Sequence, residues 1–313
     1  MRILITGASG LLGLNLALEA SGTSYHGQHT VYGVVNSQAI HTQAFTVIPC
    51  NLLAPGAVER LVDQTQPDWV IHCAALANLD ACEADPALAS ELNTELPRKL
   101  AAYVSKGGAR LVHISTDSVF DGARGNYHEE DTPNPLGVYS RTKLAGEFAV
   151  AEADPTAIIA RVVLYGWSTT GKRSLAEFFF NRLSASQTCM GFTDVFFCPM
   201  LTNDLGQVLL KMLGSKLSGL YHASGSACTS KYDFGVRIAR IFGFNENLIV
   251  PSSVNDSGLP AARSPKLTLD TSKLAAALGE PLPEYSAGLQ KFFGQYLEGY
   301  PQMLQQMVLK TEK

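Results

Sequence analysis

The chain has 313 residues, 46% of them apolar, which is more than one average domain and enough for a large core. A formal net charge of −4 leaves no basic footprint and excludes nucleic acid as a main partner, and every apolar run breaks well before the ~18 residues a membrane span needs. No charged leader precedes a signal-type segment and the first strand begins at residue 2, which predicts a cytoplasmic protein.

In chain order, Met1-Arg2-Ile3-Leu4-Ile5-Thr6 is a short apolar run of β type. It leads into Gly7-Ala8-Ser9-Gly10-Leu11-Leu12-Gly13 and a helical stretch from Leu14 to Ala20. Strand, glycine turn and helix form a cradle for a dinucleotide pyrophosphate. Gly7 permits the turn, Gly10 lets backbone approach phosphate, and Gly13 lets the helix pack near the strand. The spacing is G-x-x-G-x-x-G rather than G-x-G-x-x-G. Further strands are predicted near 30–35, 45–48, 68–72, 110–114 and 156–161, with helical patterns between them, so a parallel sheet covered on both faces is expected. Asn134 and Pro135 read as the N-cap and first-turn proline of a helix that continues through Lys143-Leu144-Ala145-Gly146-Glu147. That helix sets Tyr139 and Lys143 four residues apart on one face. A free tyrosine titrates near ~10, and a cation beside it lowers that value and eases release of the proton.

After Gly166 the pattern loosens: Gly171-Lys172-Arg173 reads as a loop, Phe178-Phe179-Phe180 as part of a helix and 219–223 as a short strand. The stretch 252–260 reads as a mobile loop near the cleft, and a helical tail from Tyr285 is interrupted at Gly299-Tyr300-Pro301. Cys50, Cys73, Cys82, Cys189, Cys198 and Cys228 form no C-x-x-C pair and have no nearby histidine pair. Reduced, mostly buried thiols and no metal site are the expectation.

The glycine turn and the Tyr139/Lys143 pair, in this order and at this separation, resemble the short-chain dehydrogenase/reductase superfamily. Asp68-Trp69-Val70-Ile71-His72-Cys73-Ala74-Ala75 is similar to that superfamily's fourth strand and the small-residue turn along the dinucleotide, and Leu111-Val112-His113-Ile114-Ser115-Thr116-Asp117 to its fifth strand. Within the superfamily the chain resembles the extended, sugar-nucleotide branch, and most closely the dTDP-4-dehydrorhamnose reductase group. Ser115-Thr116-Asp117-Ser118-Val119-Phe120-Asp121-Gly122, the run from Asn134 to Glu147 and, more faintly, 264–274 carry this likeness.

The resemblance implies a Rossmann-type doubly wound α/β fold. Residues 1–166 and about 199–223 would form the NAD(P)-binding domain, and 167–198 and 224–313 a smaller substrate lobe. It implies a reductase that uses NADPH or NADH on a nucleotide-linked 4-keto-6-deoxy sugar, and it allows a homodimer. Tyr139 would give the proton, Lys143 would bond the nicotinamide ribose and lower the Tyr139 pKa, and Thr116 would share the carbonyl oxygen. Gly7, Ser9, Gly10, Leu11, Leu12, Gly13, Asn36, Asn51, Leu52, Ala74 and Ala75 would hold the cofactor, and Asp117, Ser118 and Arg263 the substrate. Ser118 stands where the dehydratases of this branch carry a glutamate, which disfavours elimination; the reductase group usually has tyrosine there, so the serine departs from that pattern also. The second strand ends Val34-Val35-Asn36-Ser37-Gln38, with neither the carboxylate of NAD specialists nor an arginine for a 2′-phosphate, and predicts dual use with some NADPH preference. Two rivals stay open: an epimerase of the same fold that retains its nicotinamide, and a non-catalytic subunit resembling the regulatory beta subunit of methionine adenosyltransferase.

Overall fold

The computed structural model describes residues 1–22, 29–256 and 264–308. Its first half alternates strand and helix: β1 (Arg2–Thr6), β2 (Thr30–Val35), β3 (Thr46–Pro49), β4 (Trp69–His72), β5 (Arg110–Thr116) and β6 (Ile158–Val162) are connected through α1 (Leu11–Ser21), α2 (Ala57–Thr65), α3 (Leu79–Ala84), α4 (Pro86–Ser90), α5 (Leu96–Lys106) and α6 (Val138–Ala153). With the strand Gly219–Ala223 these make a seven-stranded sheet in the order Gly219–Ala223, β6, β5, β4, β1, β2, β3. Every pairing in it is parallel. Ile3, Leu4 and Ile5 of β1 are fully buried and all of β6 is buried, as a sheet covered on both faces requires. The expected strands fall within two residues of the observed ones. Strand order reverses at β1, whose neighbours are β2 and β4, so a crevice opens beyond its C-terminal end.

Helix α1 is packed on both sides, against the sheet and against the helix Thr202–Gly214, which explains why seven of its residues are buried. Buried Asn15 in α1 donates to the carbonyls of Leu11 (2.7 Å) and Trp167 (3.0 Å) and accepts from the Tyr300 hydroxyl (2.8 Å). Tyr300 opens the helix Tyr300–Gln306 after Gly299, whose φ of 75° makes the break in the tail. That helix is followed by Met307, whose carbonyl accepts from His41 N–H at 2.6 Å.

The remaining chain places short strands Phe196–Phe197, Thr229–Ser230 and Lys266–Leu267 beside the helix Lys231–Phe242. Trp167 stacks on Phe292 at 3.9 Å between ring centroids and joins that helix through Phe242. No helix of the described residues is long and apolar enough to cross a membrane.

Two expectations are corrected. Cys198 and Cys228 are joined in a disulfide, so the six cysteines are not all thiols; the strand pairing of Phe196–Phe197 with Thr229–Ser230 brings together two cysteines that are 30 residues apart. Helix α6 starts at Val138 with Gly137 as its N-cap, not at Asn134. Asn134 instead donates its amide to Asp121 (2.9 Å), and the Val138 N–H is capped from outside by the Glu83 carboxylate (2.8 Å). Within 252–260, Ser252 ends the strand Ile249–Ser252 and 254–256 form a 3₁₀ turn, while 257–260 lie outside the described residues.

Candidate functional site

The glycine turn sits where β1 runs out. Gly7 has φ +67°, and a β-carbon there would stand 2.8 Å from the Ala74 nitrogen, so both its conformation and the approach of the β4 loop demand glycine. Gly13 is held more tightly still, its added β-carbon falling 2.3 Å from the Gly7 carbonyl oxygen. Helix α1 therefore starts against the turn, its first N–H groups facing the crevice.

Two cavities follow the turn. One, of about 260 Å³, is bounded by Ser9, Asn36, Asn51, Leu52 and Ala74; the other, of about 810 Å³, by Leu11, Leu12, Gly13, Thr116, Tyr139 and Lys143. Gly7, Gly10 and Ala75 belong to both walls. Every residue expected to hold a dinucleotide thus lines one or both of these two cavities. The side-chain oxygen of Asn51, one of the residues expected to hold the cofactor, accepts from the Leu53 N–H at 3.1 Å. A third cavity of about 610 Å³ lies between the two parts of the chain, walled by Asp117, Ser118 and Tyr139 on one side and by Phe196, Phe197 and Lys231 on the other. Tyr139 and Asp117 are common to it and to the larger of the two cavities beside the glycine turn. Arg263 lies outside the described residues.

Helix α6 delivers Tyr139 and Lys143 to this junction. Lys143 is 3% exposed, donates to the Ile114 carbonyl (2.7 Å) and lies 3.4 Å from His113 Nε2. Burial lowers it to about 8, although the nearby Glu147 carboxylate pulls the other way. His113 stacks on His72 at 5.6 Å, and His72 Nδ1 meets the Thr6 hydroxyl at 2.8 Å. Burial, then the Lys143 charge, holds His72 down at about 3 and His113 well below its ordinary value, so both rings are neutral.

The expected lowering of Tyr139 by Lys143 is not observed. Loss of water pushes Tyr139 up to about 12; the Thr116 hydroxyl opposes this, while Asp117 adds to it. The Lys143 ammonium is instead drawn to Ile114 and His113. Thr116 also donates to Asp117 at 2.9 Å. Asp117 itself is raised to about 6 by burial, against the Thr116 hydrogen bond and the Lys231 charge.

Sequence reasoning missed Lys231 and Arg173. Lys231 opens the helix Lys231–Phe242 and reaches the third cavity through tertiary folding. Arg173, read as part of a loop, lines both cavities beside the glycine turn, so a guanidinium stands near the end of β2 although that strand's own sequence carries none. The loop reading was right, but its placement more than 130 residues from β2 gives no local signal.

The model of the RmlD substrate binding domain family matches residues 1–298. The chain belongs to this family. Among its relatives, a probable low-salt glycan biosynthesis reductase of Haloferax volcanii is 31% identical over 95% of this chain and 99% of its own length. Mouse methionine adenosyltransferase 2 subunit beta is 34% identical over 95% and 88% respectively. A dTDP-4-dehydrorhamnose reductase structure from Clostridium acetobutylicum superposes with a TM-score of 0.80 at 29% identity, covering 95% of this chain and all (100%) of the other. One from Bacillus anthracis in complex with NADP gives 0.79 at 26%, covering 94% and 99%. The fold of this chain is the Rossmann-type α/β fold of these reductases.

Proposed function

We propose that the chain is an NAD(P)H-dependent reductase of a nucleotide-linked 4-keto-6-deoxy sugar. The observation that carries this reading is the position of Tyr139, in the wall common to the dinucleotide groove and the cavity between the two parts of the chain. The glycine turn, Ala74 and Ala75 would hold the dinucleotide, which when bound supplies a hydride. Tyr139 then hands its proton to the oxygen of the ketone as that oxygen gains charge. Its raised pKa suits this direction, because the phenol stays protonated at neutral pH and is still far more acidic than an alkoxide's conjugate alcohol. Without substrate the Thr116 hydroxyl donates to Asp117; turned toward the ketone, that same hydroxyl would donate to the carbonyl oxygen beside Tyr139. Lys143, anchored on Ile114, supplies fixed positive charge to the ribose end of the groove. Ser118 offers no carboxyl for an elimination, and the 31% identity to a glycan biosynthesis reductase supports a sugar substrate.

The second reading is a non-catalytic subunit of another enzyme, favoured by the 34% identity to mouse methionine adenosyltransferase 2 subunit beta. Loss of nicotinamide absorbance on mixing the protein with NADPH and dTDP-4-keto-6-deoxy sugars, followed by analysis of the sugar product, separates the readings. A reduced sugar formed over many turnovers supports the reductase; an epimerised sugar with no net cofactor consumption supports an epimerase; cofactor binding without turnover of any keto sugar supports the subunit. For the reductase, Tyr139→Phe is expected to keep NADPH affinity while turnover falls by ~10²–10⁴-fold, the usual worth of a positioned acid. Turnover near that of the wild type would remove Tyr139 from the mechanism.

A further inference from the structure

Between the glycine turn and the end of β2 lies a guanidinium that neither strand supplies. Arg173 comes from the loop that follows β6 and donates through Nη1 to the Ser9 carbonyl (3.0 Å) and through Nη2 to the Gln38 side-chain oxygen. Both partners are neutral, and among the described residues Arg173 makes no ion pair. A guanidinium has five N–H donors in a rigid fork, so two bonds fix its plane and leave the others to face the groove.

The loop that carries it is built to stay in place. Glu177 is fully buried, and its carboxylate accepts from the Ser168 hydroxyl and from the backbone N–H groups of Ser168, Arg173 and Ser174, at 2.6–3.1 Å. Gln38 closes the latch from the other side, its amide donating to the Thr169 hydroxyl at 3.0 Å. The loop 168–174 is thereby tied to Ser9 and to the residues just beyond β2. In a doubly wound sheet those residues flank the adenosine ribose. No carboxylate stands at Asn36-Ser37-Gln38 to repel an anion there.

We infer that Arg173 reads the 2′-phosphate of NADPH and sets the preference for it over NADH, an inference that rests on the dinucleotide reading above. The missing arginine at the end of β2 is replaced in space by one from a distant loop, and charge-assisted bonds from its fork would reach a phosphate that only one of the two cofactors carries.

Fluorescence titration with NADPH and NADH tests this without turnover, and titration with adenosine 2′,5′-bisphosphate and 5′-AMP tests it without the nicotinamide end. In Arg173→Gln the dissociation constants for NADPH and the bisphosphate should rise about tenfold or more, while those for NADH and AMP change less than about twofold. Arg173→Lys keeps the charge but loses the fork, and should recover part of the NADPH loss, which loss of a structural bond to Ser9 or Gln38 would not predict. The wild-type preference for NADPH should also shrink as pH falls through ~6, where a phosphate monoester takes up its second proton, and this pH dependence should flatten in Arg173→Gln. Equal losses for both cofactors would overturn the inference, since the guanidinium would then serve the pyrophosphate or adenine they have in common; so would no change in either. A wild-type protein that binds neither dinucleotide would overturn the proposed function as well.

Discussion

Lys143 sits where its charge is expensive to keep. Burial lowers it to about 8 from the ordinary 10.5, so between pH 8 and 10.5 the unfolded chain holds a proton that the folded chain has released. Stability therefore rises with pH across that window, and below about 8 the full cost of the buried ammonium is present. Replacing it by Lys143→Met removes the titration. In urea melts from pH 7 to 10.5, wild-type stability should climb relative to the variant as pH rises above 8; parallel curves would mean that the amine is already neutral or is solvated. The Tyr139/Lys143 pair was legible in the sequence because four-residue spacing on a helix is a local signal. Its electrostatics were not, because Lys143 bonds a carbonyl on β5, a partner that only tertiary folding supplies. Arg173 and Lys231 were hidden for the same reason.

At the scale of elements, α6 is bolted to the sheet beneath it. Arg161 on β6 donates to both oxygens of Glu147 (2.9 and 2.8 Å), and Ser115 on β5 adds a third bond to that carboxylate. Both charged side chains are about 5% exposed or less, and the Arg161 guanidinium also lies 4.9 Å from the centroid of the Phe120 ring. Glu147 is one helical turn beyond Lys143, so the pair fixes the rotation of the face that carries Tyr139 and Lys143. Glu147→Leu leaves a buried guanidinium uncompensated and should cost about 3–5 kcal/mol in a denaturant melt, whereas adding Arg161→Met should recover much of that loss. A single variant as stable as the wild type would show that water reaches the pair. The start of α6 was misread because Asn134-Pro135 has the chemistry of a helix start, yet Asp121 claims the asparagine and Glu83, from α3, caps the first turn. A cap supplied across space leaves no mark in the local sequence.

Over the whole molecule, the parallel sheet was readable strand by strand, since buried strands are continuous apolar runs punctuated by glycine and polar turns. Beyond Gly166 the strands shrink to two to five residues and pair with partners far along the chain, so periodicity carries little. The disulfide belongs to that part: nothing in the spacing of Cys198 and Cys228 marks them, and only the pairing of Phe196–Phe197 with Thr229–Ser230 brings them together.

The bonds around Asn15 set an order on biosynthesis. Its amide lies within the first helix made, but two of its three partners are Trp167 and Tyr300, so its buried bonds are complete only once the helix Tyr300–Gln306 has docked. The first half is consequently expected to need the helix Tyr300–Gln306 as the latch that completes its packing. A chain ending at Leu297 loses the Tyr300 bond, the burial of Pro301 and Leu304 and the Met307 contact to His41. The unsatisfied amide alone costs ~1–3 kcal/mol, so the shortened protein should melt earlier and lose dinucleotide affinity, although the removed residues lie outside the glycine turn. An unchanged melting temperature would show that the N-terminal half closes by itself.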